Sequence, residues 1–126
     1  MEYTINITPL KKAFKKLRQF AQHLDTEQEK AGVVQAFEYT FELCWKMMKR
    51  FLEQRGRSAY SPKEVFRMAA LEKFIEDPEL WFEFLKKRNI TAHTYEEEES
   101  NAVIEIVPAF LEEVEKLIIF FETISW

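Results

Sequence analysis

With 126 residues, two glycines, four prolines and a single cysteine, the chain has the length for one domain and too few turn-formers for a many-stranded β fold. Cys44, standing alone, excludes an intrachain disulfide and a cysteine-built zinc site and fits a reducing compartment. The net charge of −4 divides unevenly, with 13 Lys/Arg and 8 Asp/Glu in residues 1–71 against 5 and 14 in residues 72–126, a polarity that speaks first to solubility and association.

The N-terminal "MEYTINITPLKK" lacks a basic region followed by an apolar one, and no stretch approaches about 18 uninterrupted apolar residues. A cytoplasmic chain without a membrane segment is the expectation. Thr8 reads as an N-cap with Pro9 at the first helical position, after which Leu10, Phe14, Leu17, Phe20, Ala21 and Leu24 recur at helical spacing. The longest helix spans roughly residues 27–55, with Val34, Phe37, Phe41, Trp45, Met48 and Leu52 on one stripe and Gly56 as its C-terminal cap.

Ser61, Pro62 and Glu64 predict a third helix opened by a capping box, with Val65, Met68, Ala69 and Leu71 as its apolar face. Asp77-Pro78 opens a fourth in the same way, with Leu80, Trp81, Phe84 and Leu85 turned to the core. The last helix is predicted from Ser100 or Asn101, with Ile104, Val107, Leu111, Val114, Ile118 and Phe121 on its stripe and a bend at Pro108. The acidic run Glu96 to Glu99 reads as a solvated turn before it. Five helices with short connections imply an all-α fold: an antiparallel up-and-down four-helix bundle with one additional short helix, forming a single domain over residues 1–126.

The chemistry concentrates in residues 88–95, "RNITAHTY". On an ideal helix Arg88 and His93 lie about 140° apart in projection, whereas Asn89 and His93 share a face. Arg88 and His93 therefore converge only where the helix is distorted or where a second subunit brings them together. A plainer reading has Lys86, Lys87, Arg88 and His93 complementing the negative end of the helix dipole.

R-x4-H with a polar residue after the arginine, here Arg88, Asn89 and His93, resembles the motif of the HEPN superfamily, and Tyr95 extends it to R-x4-H-x-Y. That longer form resembles HEPN toxins paired with small nucleotidyltransferases of the MNT type. Together with "FEYTFELCWK" and "SPKEVFRMA", the segment resembles one branch, the nucleotidyltransferase substrate-binding proteins, in order over essentially the whole chain. The resemblance implies a HEPN-like helical domain that forms a homodimer, so that two R-x4-H segments face one another, and a hetero-oligomer with an MNT-type nucleotidyltransferase.

It also implies metal-independent RNA cleavage, with no cofactor. His93 would then act as acid and base, Arg88 would hold phosphate and stabilise its transition state, and Asn89 would orient groups within the cleft. Tyr95 would be the acceptor of AMP groups transferred by the partner, adding charge and bulk that compete with RNA. The alternative is a non-catalytic subunit that presents substrate to a separate nucleotidyltransferase.

Other polar groups read more plainly. Glu38, Glu42 and Lys46 form an i, i+4, i+8 ladder that is either exposed or reaches the cleft. No Glu lies three residues before either histidine, which argues against a carboxylate-bridged metal site. His23 reads as a dipole partner and Cys44 as a core residue. Twelve Phe and three Trp exceed what a small bundle readily hides, and burial between subunits would absorb them.

Overall fold

The computed structural model describes residues 5–91 and 97–124. Among these are five helices: α1 (Thr8–Phe20), α2 (Glu27–Gln54), α3 (Pro62–Leu71), α4 (Pro78–Thr91) and α5 (Glu97–Thr123). α1, α2, α4 and α5 make the antiparallel up-and-down bundle, and the short α3 packs on α2 and α4. α2 touches all four other helices, so its stripe sits at the centre of the core. No helix of the described residues is long and apolar enough to cross a membrane.

Local chemistry sets the helix ends. Thr26 accepts from the Glu29 N–H at 3.0 Å while the Glu29 carboxylate accepts from the Thr26 N–H at 2.9 Å, a full capping box that starts α2. α2 stops where Gly56 takes a positive φ of 76°. The Arg57 N–H then returns to the Leu52 carbonyl and the Gly56 N–H to that of Glu53, satisfying carbonyls that a terminating helix leaves open. α3 ends in the same geometry without a glycine: Lys73 sits at φ 65°, and the Phe74 N–H bonds the Ala69 carbonyl at 2.8 Å.

Two expected caps differ in detail. Thr8 lies inside α1, whose N-cap is Ile7, and the Thr8 N–H instead finds the Asn6 side chain at 3.0 Å. Ser61 caps α3 as expected, but the Glu64 carboxylate accepts from the Tyr60 N–H at 3.2 Å, one residue outside the expected box. Asp77 accepts from the N–H groups of Glu79 and Leu80 and so opens α4.

Nine of the twelve phenylalanines are buried within the one chain. Phe110 is their hub, with ring centroids 4.8 Å from Phe37, 5.0 Å from Phe84 and 6.0 Å from Trp81. At the other end Phe51 stacks on Phe121 at 4.0 Å and meets Phe74 edge-on. The aromatic surplus is thus absorbed by the chain's own core and does not require a second subunit to cover it.

Two expectations about faces and one about a helix start are corrected. On α3, Leu71 is exposed and Phe66 takes the core position, against Phe41 and Trp81. The buried stripe of α5 is Val103, Val107, Phe110, Val114, Leu117, Ile118 and Phe121, so Ile104 and Leu111 lie at its edge. α5 also begins earlier than expected, with Glu97, Glu98 and Glu99 forming its first turn, where carboxylates face the positive end of the helix dipole.

Candidate functional site

α4 delivers Arg88 to α2 one turn before the helix ends at Thr91. The Thr91 hydroxyl donates to the Arg88 carbonyl at 2.8 Å and is itself buried, which ties down the last turn. The Arg88 Nε donates to Glu42 Oε1 at 3.0 Å. Glu42 Oε2 accepts from the Trp45 indole N–H at 3.0 Å, and the Lys46 ammonium lies 3.8 Å away. Both partners of the central pair are about one-third exposed or less, at 28% for Arg88 and 32% for Glu42.

This geometry fixes a guanidinium by one atom. Glu42 takes Nε, and among the described residues Nη1 and Nη2 have no acceptor. Four N–H donors in a plane thus remain for an incoming anion, and the carboxylate that anchors the plane is itself held by Trp45. Such a group suits phosphate oxygens, which accept parallel N–H bonds.

Asn89, one residue on, lines a different surface. It borders an open cleft of about 580 Å³ between α3 and α4, with Lys63, Arg67, Phe82 and Lys86. Arg88 and Asn89 are therefore divided between two faces of α4. His93 and Tyr95, like Glu96 and Trp126, lie outside the described residues.

Of the ladder on α2 only Glu42 reaches Arg88, while Glu42 and Lys46 form an i, i+4 pair whose lysine is exposed. Glu42 is the member whose importance a sequence reading understates. Its one local signal is Trp45 three residues on, an indole donor within hydrogen-bonding reach on the same helix. Cys44 is fully buried, and burial pushes its thiol well above the usual range, which suits an inert core residue. The exposed His23 lies beyond the end of α1, where its N–H bonds the Phe20 carbonyl. Among the described residues no three His, Cys, Asp or Glu side chains gather as metal ligands.

Fold and site together define a small helical-bundle domain with an anchored arginine at a helix end. The chain belongs to the family of nucleotidyltransferase substrate binding protein like proteins, whose model matches residues 5–122. A Haemophilus influenzae protein named "Probable ribonuclease HepT" is 40% identical over an alignment 86 residues long that covers 64% of this chain and 59% of that relative. The match thus spans about three-fifths of the curated relative's length.

A solved Haemophilus influenzae structure, described as revealing the fold of a substrate binding domain of a nucleotidyltransferase, has a TM-score of 0.83 at 32% identity. It covers 94% of this chain and 100% of its own. A tri-AMPylated Shewanella oneidensis HEPN toxin in complex with MNT antitoxin has a TM-score of 0.77 at 20% identity, covering 94% of each chain, and shares the fold.

Proposed function

We propose that this chain is the HEPN-type partner of a small MNT-type nucleotidyltransferase, and that it is a metal-independent ribonuclease silenced by that partner. The observation that carries the reading is Arg88 held through Nε by Glu42, with its Nη donors open to phosphate. Arg88 opens an intact R-x4-H-x-Y in the sequence, and the relative named as a ribonuclease supports the same assignment.

In this reading two copies of the chain face one another. His93 takes the proton from a ribose 2′-hydroxyl, whose oxygen attacks the adjacent phosphorus. The bond from phosphorus to the 5′-oxygen breaks, and the histidine of the second copy protonates that leaving oxygen. The products are a 2′,3′-cyclic phosphate and a 5′-hydroxyl. Arg88 holds the charge that builds on the non-bridging oxygens, and Asn89, on another face of α4, contacts the strand away from the reacting phosphate. Silencing transfers AMP from ATP to the Tyr95 hydroxyl and releases pyrophosphate, which places a phosphodiester and an adenosine beside Arg88.

The test is cleavage of labelled RNA by pure protein in EDTA. Intact protein should yield 2′,3′-cyclic ends, and His93→Ala and Arg88→Ala should each slow it by about 100-fold or more. Unchanged rates would remove the catalytic assignment. Light scattering at micromolar concentration should give a dimer mass, and a monomer would remove the paired cleft. After incubation with partner and ATP, mass spectrometry should find AMP on Tyr95 and none on Tyr95→Phe.

One observation favours a second reading, a non-catalytic subunit that presents substrate to the nucleotidyltransferase. Glu42 already balances the charge of Arg88 within one chain, which leaves less net charge to stabilise a phosphorane than an unpaired arginine would and so suits a binding role. RNA left intact, with nucleotidyl transfer by the partner dependent on this chain, would establish that reading.

A further inference from the structure

The α3–α4 groove adjoins the motif through Asn89 but extends away from it. Lys63 and Arg67, four residues apart on α3, face Phe82, Lys86 and Asn89, which the i, i+4, i+7 spacing puts on one face of α4. Among the described residues Glu83 is the single carboxylate of the lining. Three cations therefore converge on one anionic group in a chain whose net charge is −4.

None of the three forms an ion pair among the described residues, although the chain carries 22 carboxylates. Cations left facing one another across a cleft repel, and an anion between them relieves that repulsion. The Arg67 guanidinium also lies over the Phe82 ring, 5.4 Å from its centroid. A flat ring with a guanidinium beside it offers a stacking surface that phosphate alone would not use.

We propose that this groove holds the sugar-phosphate backbone of a single-stranded RNA on its way to Arg88, with Asn89 at the junction of groove and site. Lys63, Arg67 and Lys86 contact successive phosphates, and Phe82 with Arg67 receives a base. The proposal rests on the ribonuclease reading, in which the strand must be unpaired for its 2′-hydroxyl to line up with phosphorus. Neighbouring charge makes the groove distinctive: α4 and α5 belong to the stretch 72–126 with 14 Asp/Glu against 5 Lys/Arg, so it is a basic seam beside an acidic surface. Such a contrast guides a polyanion to one place.

The test measures anisotropy of a fluorescent single-stranded RNA about a dozen nucleotides long, on the full chain carrying His93→Ala so that nothing is cut. Lys63→Gln/Arg67→Gln/Lys86→Gln should weaken binding about tenfold or more and make the slope of log K on log salt shallower by about 2. Lys12→Gln/Lys15→Gln/Lys16→Gln removes the same charge from α1, the other basic helix, and should stay within about threefold of the parent. The single change Lys63→Gln, which retains a helix-compatible exposed side chain, should weaken binding about twofold to threefold and guards against misfolding of the triple variant.

A groove variant that binds as the parent does, or an α1 variant that loses as much, overturns the proposal. Cleavage by the otherwise intact chain is measured alongside. If RNA is never cut yet the groove variants lose affinity, the groove stands and the ribonuclease reading falls. If RNA is cut and the groove variants bind and cut normally, the groove falls and the reading stands. Absence of RNA binding by every form overturns the groove.

Discussion

The Nε of Arg88 donates to Oε1 of Glu42 at 3.0 Å, joining α4 to α2 across forty-six residues of sequence. Because Glu42 is also held by Trp45, the pair is a built contact and differs from the looser 3.8 Å approach of Lys46 to the same carboxylate. A double-mutant cycle of Glu42→Gln and Arg88→Gln, read from urea midpoints, should give a coupling of about 1 kcal/mol. The cycle of Glu42→Gln with Lys46→Gln should give about 0.3 kcal/mol, as for an exposed i, i+4 pair. Trp45→Phe should lower the first coupling by leaving the carboxylate less constrained.

A second charged cluster closes the far end of α2. Glu72, at the C-cap of α3, accepts from Arg57 at 2.9 Å and from Arg55 at 3.1 Å. Hydrogen bonds from Arg57 and then from Arg55 hold its carboxyl below the usual carboxylate range. A group whose folded pKa is depressed stabilises above its unfolded pKa and loses that contribution as pH falls through the folded value. Urea midpoints of the intact chain and Glu72→Gln should therefore differ most near neutrality. The difference should shrink as pH drops through and below the ordinary carboxylate range. A difference that grows on acidification would reverse the sign assigned to Glu72.

Much of this fold is legible in residue order because caps and periodicity agree. Thr26 and Glu29, Ser61 and Pro62, and Asp77 each stand where the following helix starts, and Gly56 stands where the longest one stops. α5 misled by its composition: Ile104, Ile106, Leu111, Ile119 and Phe120 surround the true stripe, so a count of apolar residues gives two overlapping faces. The signal lay on the opposite side. Glu105, Pro108, Glu112, Glu115, Ile119 and Glu122 mark the exposed face, and the stripe opposite them is the buried one. Residues 88–95 stand out in the sequence as a motif, but nothing local in the sequence shows the anchor of Arg88. Which glutamate of α2 meets α4 depends on how the two helices register, and that follows from packing among Phe41, Phe66, Trp81 and Phe110 rather than from any local pattern.

α3 ends on a lysine in the left-handed region, Lys73 at φ 65°, where an L side chain costs roughly 1–2 kcal/mol. The turn persists because the Phe74 N–H bonds back to Ala69 and its ring is buried against Phe51 and Phe121. Lys73→Gly should relieve the strain while adding freedom to the unfolded chain, for a net gain of about 0.5–1 kcal/mol in a urea melt. Gly56→Ala at the matching position after α2 should lose about 1 kcal/mol. Its added methyl meets nothing within 4 Å, so the loss isolates the backbone effect.

Arg88→Lys separates charge from shape at the candidate site. Lysine preserves the positive charge and can approach Glu42, but its ammonium is one point where the guanidinium is a plane. If it pairs with Glu42 it has no second set of donors to offer, whereas Arg88 gives Nε to the carboxylate and keeps both Nη groups. RNA cleavage by Arg88→Lys should therefore fall about tenfold or more, approaching the loss in Arg88→Ala, while the urea midpoint stays close to that of the intact chain. Full activity in Arg88→Lys would mean that charge alone suffices and that the planar anchor on Glu42 has no part in holding phosphate.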